Sequence, residues 1–371
     1  MSALTPLERS LLLLIGLLTA LAGVANYSNW ASVPRFALAT IALAGLAWIV
    51  SFATEQLGER FGPGVTGLLQ STLGNLPELF VVIFALQKGE LIVAQTAIVG
   101  SVFANALLVL GLVIVVGARR APDGVMRFSK KLPRDTATLL GVTSFIIVLL
   151  GLSLAAHDPA SSHVDEISIV GAISLLVVYL AWVVPYVRSD MTPGLEAVVQ
   201  GGGGQPVEVP AAAPSRPGPR LSLALTLTLL AVAGVGSAFV SDWFINGLAP
   251  AIKQLGISQA FAGLVIVAIA GNAVENTAGL VLAWKGRSDL AISVVKNSVA
   301  QIAAFLFPLL VLISFALATT LTFSLAPIYI GAFLLTALAV AQVTGDGEAA
   351  EFEGWALVAI YVILATVALY E

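Results

Sequence analysis

The chain has no cysteine, only two histidines, and only 10% charged residues among its 371 positions. The missing thiols exclude disulfides and thiolate metal centres. Soluble domains carry about a quarter charged residues, so the scarcity of charge, with 58% hydrophobic residues and a mean hydropathy of +1.00, excludes an ordinary water-soluble domain. A net charge of −4 with 17 basic residues also leaves no surface suited to nucleic acid. What remains is an all-α integral membrane protein.

Apolar runs long enough to span a bilayer fall near 10–26, 36–54, 62–87, 91–117, 136–156, 167–187, 221–241, 258–284, 289–317, 324–343 and 354–370. The first could alternatively be a signal peptide with Ala20-Leu21-Ala22 at its end, but Glu8 cancels Arg9 and leaves no basic n-region. The pattern therefore predicts about eleven transmembrane helices. Thirteen of the 17 basic residues fall in alternate loops, and Arg35, Lys88 and Lys253 fall on the other side. That asymmetry predicts a cytoplasmic N-terminus and an outside C-terminus. No organelle address is visible, so the expected location is a plasma or inner membrane. The acidic segments His157–Glu166 and Asp346–Glu353 are expected in outer loops, serving to solvate them.

Residues 189–220 are rich in Gly, Pro and Ala and predict a flexible cytoplasmic linker. They divide the chain into an N-terminal helix with its loop (1–34), a first five-helix repeat (35–188) and a second five-helix repeat (221–371). An odd number of spans turns the second repeat upside down, giving two inverted-topology repeats.

The repeats carry the same polar signature 197 positions apart, GNLPELFVVIFALQKG at 74–89 and GNAVENTAGLVLAWKG at 271–286. Asn75 pairs with Asn272, Glu78 with Glu275 and Lys88 with Lys285. Each Glu precedes its Lys by ten residues, about 15 Å of helix, which puts both carboxylates near the bilayer midplane. Ionisable groups at that depth point to function. Asn and Glu three apart share a helix face, and Pro77 and the glycines are expected to open the helix there. Carboxylate, amide and carbonyl oxygens together suit a hard cation. The following spans add Ser101 and Asn105, then Asn297, Ser298 and Gln301; the 197-residue offset matches Ser101 to Ser298. Asn105, Gln301, Asn297 and Asn276 form a possible secondary site, with interhelical hydrogen bonding as the alternative role. Cation and proton would compete for Glu78 and Glu275, the expected metal-binding carboxylates, because burial favours the protonated form and a bound cation the charged one. A secondary cation/proton antiporter follows as the expectation, with metal cations and protons as its partners, the bilayer as its solvent and no cofactor. An intramembrane enzyme lacks any accompanying catalytic motif, and a channel would ignore the pH gradient.

Lys296 lies inside a span. Its ammonium could enter the site and favour a monovalent ion. Helical geometry instead puts it about 160° from Ser298 and about 10 Å from the membrane edge, where it is expected to snorkel toward the cytoplasm.

At these motifs the chain resembles the calcium/proton exchanger family of the sodium/calcium exchanger superfamily. The resemblance covers 53–90, 100–111, 261–292 and 301–312, and the one-plus-five-plus-five layout is similar. It implies exchange of Ca2+ for protons, with Glu78 and Glu275 as alternating carriers and Asn75, Asn272, Ser101 and Ser298 as nearby ligands. The chain departs from the family pattern at Asn276, where the family has His, at Ala268, where it has Pro, and at 297–301, where it has Gly-Ser-Ser-Thr-Gln. These departures, together with Lys296, keep a Na+ or K+/proton antiporter as the alternative.

Overall fold

A computed structural model describes residues 4–58, 73–191 and 220–371. Twelve helices are present: α1 Pro6–Tyr27, α2 Ser32–Gly58, α3 Leu76–Gln87, α4 Leu91–Arg120, α5 Lys131–Ala156, α6 Val164–Met191, α7 Leu223–Leu255, α8 Gln259–Gly271, α9 Ala273–Trp284, α10 Ser288–Ser314, α11 Pro327–Thr344 and α12 Glu351–Leu369. Among the described residues nine helices are long and apolar enough to cross a membrane, and the bent pair α8–α9 makes a tenth. Residues 59–72, which precede α3 in sequence, lie outside the described residues, as does most of the 189–220 linker.

Local chemistry sets the ends. Thr5 caps α1 reciprocally with Glu8: Thr5 Oγ1 accepts from the Glu8 amide at 3.2 Å and the Thr5 amide donates to Glu8 Oε2 at 2.7 Å. Gly89 and Gly286, 197 positions apart, end α3 and α9 with φ of 78° and 72°, a conformation glycine adopts without steric cost. Helix α7 runs 33 residues, well beyond the expected 221–241. Asp242, Asn246 and Pro250 look like a span ending in sequence, but the helix carries them onward to Gly256.

Helix α4 packs on α12, and its repeat-mate α10 packs on α6, the mate of α12. Contacts exchanged in this way are what two intertwined repeats produce. The approaches are close because the interfaces are lined with small residues. A Cβ on Gly100 of α4 would lie 2.5 Å from the Leu264 Cα of α8, and one on Gly111 would lie 2.6 Å from the Gly354 carbonyl of α12. Lipid is as apolar as leucine, so packing of this kind holds membrane helices together. Helices α1, α2 and α7 pack on one another as a panel. Ile15 of α1 fits against Gly45 of α2, and Gly23 of α1 lies under Trp243 of α7.

The α4–α5 and α11–α12 connections meet in a small antiparallel sheet, β1 Val125–Arg127 with β2 Glu348–Ala350. This corrects the expectation for Asp346–Glu353: the segment lies on the same face as the basic 119–134 stretch, not opposite it with His157–Glu166. Its acids serve as partners, since Arg119 pairs with Glu351 at 2.7 Å and Arg127 with Glu348 at 3.6 Å. Arg127 also hydrogen-bonds Asp123 and holds that carboxyl below the usual range. The face carrying this sheet is called the linker face below.

Candidate functional site

Asn75 and Asn272 are the two break residues. Each sits just before a twelve-residue helix, and their dihedrals nearly coincide, φ −87° and ψ 11° against φ −95° and ψ 14°. Pro77 begins α3, whereas α9 has no proline at the matching position, so the shared Gly-Asn pair and not proline accounts for both breaks. The disturbance is short. Asn272 still donates its amide to the Ala268 carbonyl at 3.2 Å, and its own carbonyl accepts from the Asn276 amide at 3.0 Å, yet the axis turns by 57°.

Glu78 is the third residue of α3 and only 3% exposed. A Cβ on Gly271 would collide with its carboxylate group. The first repeat's carboxylate therefore rests on the backbone of the second repeat's break, a seat available only because residue 271 has no side chain.

Around it the neutral groups form a closed set. Asn272 Nδ2 donates to Ser101 Oγ at 3.0 Å and to the Ala268 carbonyl at 2.9 Å. Asn105 Nδ2 donates to Asn272 Oδ1 at 2.8 Å and to the Ser101 carbonyl at 3.0 Å. All three residues are fully buried, and Asn105 Oδ1 remains an acceptor with no hydrogen-bond donor among the described residues. Asn105 belongs to a π-helical turn, Ala104–Val109, inside α4. Such turns widen a helix locally and often mark functional positions.

The second half is built differently. Ser298 is 4% exposed and Gln301 7% exposed, and the Ser298 hydroxyl has no hydrogen-bond partner among the described residues. The same holds for Asn276 Oδ1 and Asn297 Oδ1. Helix α10 also changes to a π turn, Ile302–Leu306, but the position matching Asn105 is Ile302. Asn75 is buried and bonded. The backbone places Glu275 third in α9, as Glu78 is in α3, and its side chain lies outside the described residues.

Ser101 meets Asn272, the break residue of the opposite repeat. One residue parts from expectation. Lys296 does not snorkel. It is fully buried, and its ammonium nitrogen donates to Thr344 Oγ1 at 3.0 Å at the end of α11, while its carbonyl accepts from Thr136 Oγ1 at 3.3 Å. It leans toward the linker face, as expected for a helical side chain, but helix α11 and the mini-sheet after it cover that route. Its amine is engaged away from the Asn272–Ser101–Asn105 set. Gln95 donates to the Ser324 carbonyl at 2.9 Å, a packing role. Gln70 lies outside the described residues.

Among the described residues no group of three or more His, Cys, Asp or Glu is placed to hold a resident metal. What the site offers is one or two carboxylates amid amide, hydroxyl and carbonyl oxygens, in a buried interior.

Known proteins match along nearly the whole length. A Ca(2+)/H(+) antiporter of Synechocystis sp. is 29% identical over 350 residues, covering 92% of each chain. A vacuolar calcium ion transporter of Schizosaccharomyces pombe is 29% identical over 346 residues, covering 92% of this chain and 80% of that one. The solved structure of native YfkE superposes with a TM-score of 0.76 at 25% identity, covering 97% of this chain and all of that one. The model of the sodium/calcium exchanger protein family matches residues 31–186 and 225–370, the two repeats on either side of the linker, and the chain belongs to that family.

Proposed function

We propose that the protein is a secondary antiporter that exchanges Ca2+ for protons by alternating access. Glu78 carries the reading: a carboxylate buried at the crossing of two helix breaks, beside a hydrogen-bonded amide and hydroxyl set. Calcium prefers roughly six to eight oxygen ligands. Glu78 and Glu275 supply the carboxylates in this reading, and Asn75, Asn272, Ser101 and Ser298 supply neutral oxygens. Asn105 holds Asn272 in place from behind.

The exchange cycle follows from charge. Two ionised carboxylates in a medium of low dielectric are costly unless a cation or protons neutralise them. Either occupant lowers the cost of carrying the site past the apolar barrier, and an empty charged site stays where water reaches it. Coupling then needs no ATP, because the site crosses only when filled by one ion or the other.

The excess of basic residues on the linker face supports a cytoplasmic linker and N-terminus, in a multi-pass membrane protein with an outside C-terminus. The names of the Synechocystis and Schizosaccharomyces relatives support calcium as the substrate. The position of Lys296, with its nitrogen on Thr344, removes the main argument for a Na+ or K+ antiporter.

The experiment is cation-driven proton movement in sealed vesicles, with calcium, sodium and potassium compared at one pH gradient. Calcium should release protons, and Glu78→Gln and Glu275→Gln should each abolish the response. A sodium or potassium response without a calcium response would overturn the substrate. Flux indifferent to the pH gradient would indicate a channel.

A further inference from the structure

The two lysines that close the repeated motif have different fates. Lys88, at the end of α3, reaches across to α7 of the panel. Its nitrogen lies 2.6 Å from Asp242 Oδ1 and 2.5 Å from Asn246 Oδ1, and Asn246 Nδ2 donates to Asp242 Oδ2 at 2.9 Å. The three side chains thus form a closed ring of hydrogen bonds in which the amide fixes the carboxylate that the ammonium grips. Lys285, the mate of Lys88 on the linker face, is exposed and forms no ion pair with a described residue. The positions of α2 that match Asp242 and Asn246 are Gly45 and Ile49, which offer no acceptor side chain.

This difference lies on the boundary that alternating access must shear. Helix α3 carries Glu78, while α7 belongs to the α1–α2–α7 panel. The two helices run alongside each other from Leu76 against Gly234 to Lys88 against Asp242. Ser241, one residue before Asp242, is fully buried in this conformation. Any slide of the panel that opens a path from the Lys88 face toward Glu78 must pull Lys88 away from Asp242 and Asn246.

We infer that Lys88, Asp242 and Asn246 form a one-sided latch that biases the carrier toward the conformation closed at the Lys88 face, with no counterpart among the described residues at the linker face. This rests on the antiport reading for the need to open and close, and it adds the side on which the carrier rests. The ion pair is about one third exposed, with side-chain values of 33% and 36%, so water and salt weaken it and the bias is moderate. A pair of this exposure shifts a two-state equilibrium by about one-and-a-half- to fivefold.

The absence of native cysteine makes the test clean. Ser241→Cys places a single thiol behind the latch, and a membrane-impermeant maleimide added at the Lys88 face reports opening. Lys88→Met and Asp242→Asn should each raise the labelling rate about one-and-a-half- to fivefold. The two together should raise it no further than one alone, because both break the same contact. The exchanged pair, Lys88→Asp with Asp242→Lys, should bring the rate back toward the parent, and high salt should accelerate only the parent. Should Lys88→Met fail to fold, Asp242→Asn and Asn246→Ala carry the same test. Equal labelling in parent and folded variants, or independent effects of the two single substitutions, would overturn the latch. Proton-coupled calcium flux measured in the same vesicles separates the two ideas: faster labelling without any coupled flux would leave the latch standing and remove the antiport reading.

Discussion

Helices α4 and α10 are the same element used twice. Both follow a broken helix and both widen into a π turn, at Ala104–Val109 and Ile302–Leu306, so the backbones agree nearly residue for residue. Their polar groups do not. Ser101 and Asn105 of α4 lock Asn272 into a closed set, whereas α10 presents Ser298 near Ile302, with a hydroxyl that has no partner among the described residues. Backbone geometry is fixed by the Gly-Asn breaks and small-residue packing, which both halves retain. Hydrogen bonding depends on single side chains and has been free to diverge. Among the described residues, the first half ties Asn272, Ser101 and Asn105 together, and the second leaves the Ser298 hydroxyl without such a tie.

The sharpest break of that comparison is Glu78→Gln. It preserves shape and removes the charge, and coupled flux should fall by at least about a hundredfold in vesicles while the protein stays monodisperse. Gly271→Ala comes next. Its methyl group would occupy the space of the Glu78 carboxylate, so exchange should fall about tenfold or more, and overpacking should cost about 1–3 kcal/mol in denaturant titrations. If Gly271→Ala were as active as the parent, Glu78 would not rest on that backbone. Asn105→Ile makes the first half resemble the second. It leaves Asn272 Oδ1 without its donor, which should weaken calcium about five- to tenfold at a cost of about 1–3 kcal/mol. Ser298→Ala, by contrast, breaks no hydrogen bond between described residues and should destabilise the fold by less than about 0.5 kcal/mol while still weakening calcium. Equal stability losses in the two variants would erase the difference between the halves. The smallest effect is expected from Lys296→Met. It removes an amine that, among the described residues, bonds only Thr344, so the preference for calcium over sodium should change by less than about twofold; a large change would return the ammonium to the site.

The sequence made the repeat legible because polar groups stand out against apolar filler. Asn75, Glu78, Asn272 and Glu275 were visible by identity and spacing alone, as were the helix ends at Gly89 and Gly286. Other features were hidden for physical reasons. A 197-residue offset reports which residues are equivalent and is silent on which of them touch, so the bond between Asn272 and Ser101 was not legible. Helix α7 was cut short because Asp242 and Asn246 resemble an interface, although a lysine on another helix satisfies them. Lys296 was read as snorkelling on the assumption that water lay within reach, and burial by α11 is a tertiary fact that no single-helix geometry contains. The placement of Asp346–Glu353 on the linker face depended likewise on a strand pairing of only three residues a side.

The central claim is that calcium and protons compete for the same buried oxygens around Glu78. Apparent calcium affinity in purified protein, measured across a pH series for the parent chain and Glu78→Gln, tests it most directly. Competition requires affinity to weaken steadily as the pH falls in the parent and to become both weak and flatter in the variant. Calcium affinity that is independent of pH in the parent, or an unaltered pH dependence after Glu78→Gln, would contradict it.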